Sequence, residues 1–147
     1  NSFTDSLEDH ALAEALAARR ATTEEREQIT RLHKQMARKV ADNHVEDYYR
    51  LDVDFHDALY RASHNGLLES QLRGLRRRFA PYRRGHFLRQ GRIGQSFEEH
   101  EKIVAAIEAG DSEKAAQAAR NHIDKNGTVL ADFLHDLERH NAKRETG

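Results

Sequence analysis

The amino-acid sequence predicts an all-α protein with about six helices. One proline and eight glycines interrupt its 147 residues. Apolar residues recur at spacings of three and four, which is typical of amphipathic helices, and no segment alternates with the period of two expected of a half-buried strand. The length is sufficient to bury one core and no linker divides the chain, so we expect a single domain over residues 1–147.

Composition and charge exclude several classes of protein. The sequence has no cysteine, so it forms neither disulfides nor thiolate metal sites, which fits a cytoplasmic protein. Its net charge is −1, whereas domains that bind nucleic acids directly usually carry a basic excess. The apolar runs are too short to cross a bilayer, so we expect no membrane partner. Ten histidines, dispersed along the chain, are the unusual feature.

The first two helices follow from apolar spacing and one capping motif. A helix is expected over about 5–20, with Leu12 among its inward side chains. Thr22 followed by Glu25 forms a capping box, in which each side chain bonds a backbone N–H of the other residue. This motif predicts that a second helix starts here and runs to about residue 41.

The next two helices are bounded by short polar segments. Asp42 or Asn43 is expected to cap a third helix over about 44–63. Asn65 is a favourable N-cap residue and is expected to start the fourth helix. Pro81 should kink or end that fourth helix, because proline lacks the backbone N–H that a helix interior needs.

The last two helices follow a loop with the sequence RQGRIGQS. Ser96 and Glu99 repeat the capping-box pattern, which predicts a fifth helix over about 97–109. Gly110 is expected to end this helix, and Asp111 to cap a final one that is rich in alanine. The apolar pattern of the final helix resumes at about 129–137.

Four metal-competent side chains fall on the apolar faces of three predicted helices. Asp52 and His56 are four residues apart and therefore neighbours on one helix face. His100 shares a stripe with isoleucines and a valine, and His122 shares one with alanines. Burying such groups without partners is unfavourable, and a shared metal ion would supply one. Imidazoles with one carboxylate suit zinc, nickel, iron(II) or manganese.

The spacing by itself leaves a structural interpretation open, because a histidine on an apolar stripe is more often a hydrogen-bonded core residue. Arginines also cluster between Arg73 and Arg92, as a solvated face or as the lining of an anion pocket. His86 in that segment is a reserve ligand or pocket residue, and His64 is expected in a turn. The remaining histidines are expected on or near polar faces: His10, His33, His44, His135 and His140.

Four stretches carry a resemblance to a known family. They are LAARRATTEE (16–25), DVDFHDALYRASHNGLL (52–68), FEEHEKIVAAIEAGDSEKAAQAARNHI (97–123) and the arginine-rich helix between the last two. Together they resemble the FCD effector-binding domain, the C-terminal half of FadR-branch GntR-type bacterial transcriptional regulators. The resemblance covers about residues 7–125.

The resemblance implies an antiparallel bundle of six to seven helices enclosing a central ligand pocket. It implies a divalent metal, most often zinc or nickel and otherwise iron or manganese, held by residues that match the family's ligand positions. It also implies a small carboxylate effector contacted by arginines, and a homodimer. The expected metal ligands are Asp52, His56, His100 and His122, and the expected effector residues are Arg76, Arg83 and His86.

The resemblance also implies regulation of DNA binding, without a DNA-reading domain in this chain. A winged helix-turn-helix domain needs many more residues than precede the first predicted helix, so we expect it outside this chain. Family members often have an arginine and a glutamate early in the first helix, where Ser6 and His10 stand here. No catalytic residue is expected. The alternatives are a helical metalloenzyme with a three-His, one-Asp site, or a plain helical interaction module.

Overall fold

The computed structural model describes the backbone of residues 2–122 and of Arg139, and side chains from residue 8 onward within those ranges. The described residues form helices without any strand, which confirms the predicted fold class. The helices are α1 (Ser2–Arg20), α2 (Thr23–Ala41), α3 (Val45–Ala62), α4 (Gly66–Arg78), α5 (Ala80–Phe87), α6 (Arg92–Ala109) and α7 (residues 112–122). The apolar pattern at 129–137, His135 and His140 lie outside the described residues.

Helix α3 lies at the centre of the bundle and packs against α1, α2, α4 and α5, while α6 packs against α1, α2 and α5. The core contains fully buried side chains from several of these helices, among them Phe55, Leu59, Met36 and Ile103. Because short turns join α2 to α3 and α3 to α4, these neighbours run antiparallel. None of the helices in the described part of the chain combines the length and apolar character needed to cross a bilayer.

Several predicted helix ends are confirmed. The capping box of α2 is complete, with Glu25 N–H donating to Thr22 Oγ1 and Thr22 N–H donating to Glu25 Oε1. Asn65 caps α4 by accepting from the Leu68 N–H. Gly110 ends α6 in the left-handed conformation, with φ of 66°. Asp111 then accepts from the Lys114 N–H at the start of α7.

The predicted effect of Pro81 is also confirmed. Helix α4 ends at Arg78, and the proline lies in the first turn of α5. At that position the missing N–H removes no helix hydrogen bond, since the first N–H groups of a helix have no partner within it. The break turns the arginine-rich segment into two helices, so that α5 covers one side of α3.

The predicted cap of α3 is wrong. His44 is the N-cap residue, whereas Asp42 is the C-cap of α2 and Asn43 adopts a left-handed conformation with φ of 53°. The His44 N–H donates to the Lys39 carbonyl at 2.9 Å, so the turn serves the end of α2 rather than the start of α3. Asparagine tolerates this conformation better than most residues, which explains its place there.

The predicted start of the fifth helix is also wrong. Helix α6 begins at Arg92, after Gly91 with φ of 77°, so Ser96 and Glu99 lie inside it and are buried. Tyr48 donates a hydrogen bond to Ser96 at 2.8 Å, and the Glu99 carboxylate pairs with Arg92. Ser96 therefore binds a neighbouring helix and Glu99 binds another side chain of α6, so neither caps the helix backbone.

The inward face of α1 also differs from the prediction. Leu12 is 50% exposed, while His10 and Glu14 are buried beside Ala17 and Ala18. His33 is buried too, its ring stacked on Phe97 with centroids 4.2 Å apart. The predictions that His10 and His33 lie on or near polar faces are therefore wrong. His44 is exposed and His64 lies in a turn, as predicted.

Candidate metal centre and anion pocket

Helices α3, α6 and α7 bring three buried histidines to one point. His56, His100 and His122 each offer a ligand atom, and these atoms all lie within 4.8 Å of one another. The Nε2 atoms of His56 and His100 are 3.3 Å apart. Each histidine lies on the inward stripe of its helix, so packing of the three helices is what makes the nitrogens converge.

Asp52 adds a carboxylate oxygen to this cluster. Its Oδ1 atom is 3.4 Å from Nε2 of His56 and also 3.4 Å from Nε2 of His100. This oxygen is buried and lacks a hydrogen-bond partner among the described residues. Two ligand atoms bound to one metal ion at about 2.0–2.1 Å lie about 3.0–3.4 Å from each other. The distances between Asp52 Oδ1 and the two Nε2 atoms therefore fit a shared divalent metal.

The protonation states also suit metal binding. Burial lowers the pKa of His56 to about 3, and Arg76 adds to the effect. Burial likewise holds the pKa of His100 well below its usual range. For Asp52 burial alone would raise the pKa, but His56 and Arg76 more than offset it and hold the pKa well below its usual value. Neutral imidazoles beside an ionised carboxylate are the forms that bind metals.

Glu99 supports the cluster from outside. Its Oε1 atom is 2.7 Å from His122 Nδ1 and 3.1 Å from Arg92 Nη2, and all three side chains are buried. Burial opposes ionisation, but hydrogen bonds from His122 and Arg92 lower the pKa of Glu99. An ionised Glu99 requires the proton of His122 on Nδ1, which leaves Nε2 as the ligand atom.

Sequence reasoning missed this role of Glu99 by treating it as a capping residue. The spacing of the residues does indicate an inward-facing Glu99, because Ser96, Glu99 and Ile103 continue one helical stripe at spacings of three and four. That stripe already contained the neighbours of His100, and it predicts that Glu99 faces the same interior.

A small cavity of about 70 Å³ opens beside the histidines. Its lining includes the three predicted effector residues, Arg76, Arg83 and His86, together with Asp52, Tyr82, Phe87 and His122. The structure therefore brings the arginines of α4 and α5 to the same place as two of the predicted ligands. A larger open pocket of about 480 Å³ lies next to it, with His86 lining both.

Two arginines of the cavity share one carboxylate. Nη2 of Arg76 is 2.9 Å from Asp52 Oδ2, and Nη1 of Arg83 is 3.6 Å from the same oxygen. Burial and the neighbouring Arg76 lower the pKa of Arg83 to about 10, so both guanidinium groups are cations at neutral pH. Two cations against one anion leave a local excess of positive charge, which favours an anionic ligand.

Glu14 is a second buried carboxylate that sequence reasoning missed. It lies on the inward face of α1 and is 3% exposed. Burial raises its pKa to about 8, although Arg76 offsets part of the rise. The spacing of Glu14 from Ala17 and Ala18 places it on the same helix face as these buried alanines. Nothing else in the sequence indicates that this glutamate is buried.

Comparison with known proteins identifies relatives of this chain. The family model described as the FCD domain matches residues 3–125. A protein of Escherichia coli (strain K12) named "Putative L-lactate dehydrogenase operon regulatory protein" is 33% identical over 93 residues, which are 60% of this chain and 36% of that protein. A Shigella flexneri protein of the same name matches equally. The chain thus spans about a third of the length of these relatives.

Solved structures share the architecture. McbR/YncC of E. coli matches with a TM-score of 0.77 at 18% identity, covering 89% of this chain and 63% of that one. GntR of Streptococcus agalactiae matches with a TM-score of 0.67 at 24% identity, covering 86% of this chain and 56% of that one. At these identities the likeness supports the fold alone.

Proposed function

The chain belongs to the FCD domain family, and from that premise we propose that it is the sensing domain of a transcriptional regulator. In this proposal it binds a divalent metal together with a small organic acid. One observation carries the proposal: Asp52 Oδ1 and the Nε2 atoms of His56 and His100 lie 3.3–3.4 Å apart, beside an arginine-lined cavity. A metal accounts for the buried polar groups, and an anion accounts for the arginines.

Asp52, His56, His100 and His122 would hold the metal. The ligand types favour zinc or nickel and are compatible with iron or manganese. When bound, the ion supplies positive charge and open coordination positions for an oxygen of the effector. The chain itself keeps the imidazoles of His56 and His100 neutral, because burial lowers the pKa of each. Glu99 orients His122, as carboxylates beside metal-binding histidines commonly do.

Arg83 and His86 would contact the acid, and Arg76 lines the same cavity beside Asp52. With a divalent ion present, the two guanidinium groups and the metal outweigh the single charge of Asp52, so an anion restores the balance. The cavity of about 70 Å³ favours a compact acid. The name of the E. coli relative makes L-lactate the first acid to test, followed by other hydroxy acids.

Regulation would follow a shift in population between two helix arrangements. Acid bound to Arg83 and His86 favours one placement of α5, and α5 contacts both α3 and α6. In a homodimer, such movements would change the spacing of DNA-binding domains attached outside this chain. The regulatory role named for the E. coli relative favours this function over a helical metalloenzyme.

Metal analysis and calorimetry test the proposal. We expect purified protein to take up about one equivalent of Zn²⁺ or Ni²⁺ per chain, and to bind L-lactate or a related acid only when metal is present. His100→Ala should lose metal uptake, while His44→Ala, a change of an exposed histidine, should retain it. Negligible metal content without uptake on titration would contradict the proposal, as would equal behaviour of the two variants.

A further inference from the structure

We infer that the two arginines of the cavity have different roles: Arg76 positions the metal-binding carboxylate of Asp52, whereas Arg83 binds the carboxylate of the effector. The inference rests on the proposed function and divides a pair that the sequence alone treats as equivalent. The two guanidinium groups differ in their contact with Asp52 and in the number of their N–H groups that already donate a hydrogen bond.

A hydrogen bond from Arg76 fixes one oxygen of Asp52 and thereby orients the other oxygen towards the histidines. The Nη2 atom of Arg76 donates to Oδ2 at 2.9 Å, while Oδ1 lies 3.4 Å from Nε2 of both His56 and His100. The two oxygens therefore face different partners, and the arginine fixes the rotation of the carboxylate. Carboxylates that bind metals are usually held in this way by an outer hydrogen bond.

Arg83 is held more loosely and retains unused donors. Its contact with Asp52 Oδ2, at 3.6 Å, is too long for a hydrogen bond. Its Nη2 atom donates to the Arg76 carbonyl at 2.8 Å, but Nε and Nη1 are buried and find no acceptor among the described side chains or backbone. Buried donors without acceptors are unfavourable, and a carboxylate in the adjoining cavity would satisfy them.

The charges support the same division. Arg76 is the cation within hydrogen-bond distance of Asp52, so a metal-bound Asp52 keeps its partner. Arg83 is the second cation at that single carboxylate, and its contact with Asp52 is an ion pair at 3.6 Å without a hydrogen bond. It also lies on α5, so a ligand that it binds acts directly on the placement of that helix.

Paired glutamine variants with matched controls test the division. Arg76→Gln should lower the affinity for Zn²⁺ about 10- to 100-fold, the usual loss when an outer partner is removed. Arg83→Gln should change Zn²⁺ affinity less than about threefold, but weaken acid binding to the metal-loaded protein about 10- to 100-fold, as expected for a lost charge-assisted hydrogen bond. The exposed residues Arg77 and Arg89 provide controls as Arg77→Gln and Arg89→Gln, which should change neither affinity.

Calorimetry with Zn²⁺ alone, then with acetate, L-lactate and citrate on the loaded protein, measures both affinities. Circular dichroism checks folding, and Arg76→Lys and Arg83→Lys replace any glutamine variant that does not fold. Equal loss of Zn²⁺ affinity in both variants would overturn the division, and unchanged acid binding by Arg83→Gln would overturn the role of Arg83. Loaded wild-type protein that binds none of the acids would also overturn that role. Wild-type protein that takes up no Zn²⁺ would instead overturn the proposed function itself.

Discussion

Asp52 on α3 and Glu14 on α1 are equally buried, at 2% and 3% exposed, yet their carboxyl groups differ in charge. Asp52 lies against Arg76 and two imidazoles, and its pKa is well below the usual range because these neighbours outweigh burial. Glu14 forms no ion pair within the described part of the chain, and burial raises its pKa to about 8. The difference shows that partners, rather than depth, decide whether a buried acid is ionised.

The two acids therefore suit different tasks. An ionised Asp52 is able to bind a cation, whereas a Glu14 that is protonated at neutral pH is able to donate a hydrogen bond. Arg76 lowers the pKa of both acids, but of the two only Asp52 lies within hydrogen-bond distance of its guanidinium group.

The largest expected effect comes from removing the charge of Asp52. Asp52→Asn leaves two largely buried guanidinium groups without their anion, so the metal-free protein should lose about 3–5 kcal/mol in free energy of unfolding. Metal uptake should also fall below detection. Urea denaturation with a chelator present measures the first effect and metal titration the second. Unchanged stability without metal would show that Asp52 does not compensate the arginines.

Replacing Glu14 by the neutral glutamine should stabilise the protein, whereas the corresponding change at Asp52 destabilises it. Burial raises the pKa of Glu14 in the folded protein from its ordinary value of 4.5 to about 8. Above pH 4.5 the unfolded chain releases this proton while the folded protein still holds it, so the wild type loses stability as the pH rises towards 8. Glu14→Gln does not titrate, and its advantage over wild type should grow across this range to about 2–4 kcal/mol. Denaturation at pH 5 and pH 8 measures it; a constant difference would contradict the raised pKa.

Glu99 is a third buried carboxylate, and its pKa is lowered like that of Asp52. Its Oε1 atom lies 2.7 Å from Nδ1 of His122, so it contacts a proposed ligand instead of being one. Glu99→Gln should therefore weaken metal binding about 10- to 100-fold without abolishing it. Calorimetric titration with Zn²⁺ measures the loss, and Glu98→Gln at an exposed neighbouring position serves as the control. Complete loss of binding would place Glu99 among the ligands.

The smallest effect is expected from a neutral pair close to these charges. Tyr48 donates to Ser96 at 2.8 Å, and both side chains are fully buried. Ser96→Ala should cost about 1–3 kcal/mol, because it leaves the tyrosine hydroxyl without its acceptor. Thermal denaturation measures it, and metal affinity should stay as in wild type. A change in metal affinity would mean that the pair also aligns α6 at His100.

The helices and most of their ends could be predicted from the sequence, since those signals are local. The capping box at Thr22, the cap at Asn65 and the stop at Gly110 each depend on residues within one turn. The prediction failed at Ser96 and Glu99, where the same residue types face Tyr48 and His122 instead of the helix backbone. A local pattern does not distinguish these cases, because the competing partners lie far away in the chain.

The candidate site shows the same limit. Asp52 and His56 could be predicted as neighbours from the sequence alone, since a helix places residues four apart on one face. The sequence also placed His100 and His122 on inward stripes. The packing of the helices decided that Asp52, His56 and His100 meet at 3.3–3.4 Å, with a His122 nitrogen within 4.8 Å of the other two histidines. It also decided that Glu14 is buried and that Arg76 and Arg83 differ in their contacts. Those distances and charges depend on how separate helices pack, and helix periodicity carries no information about which neighbour a buried side chain will find.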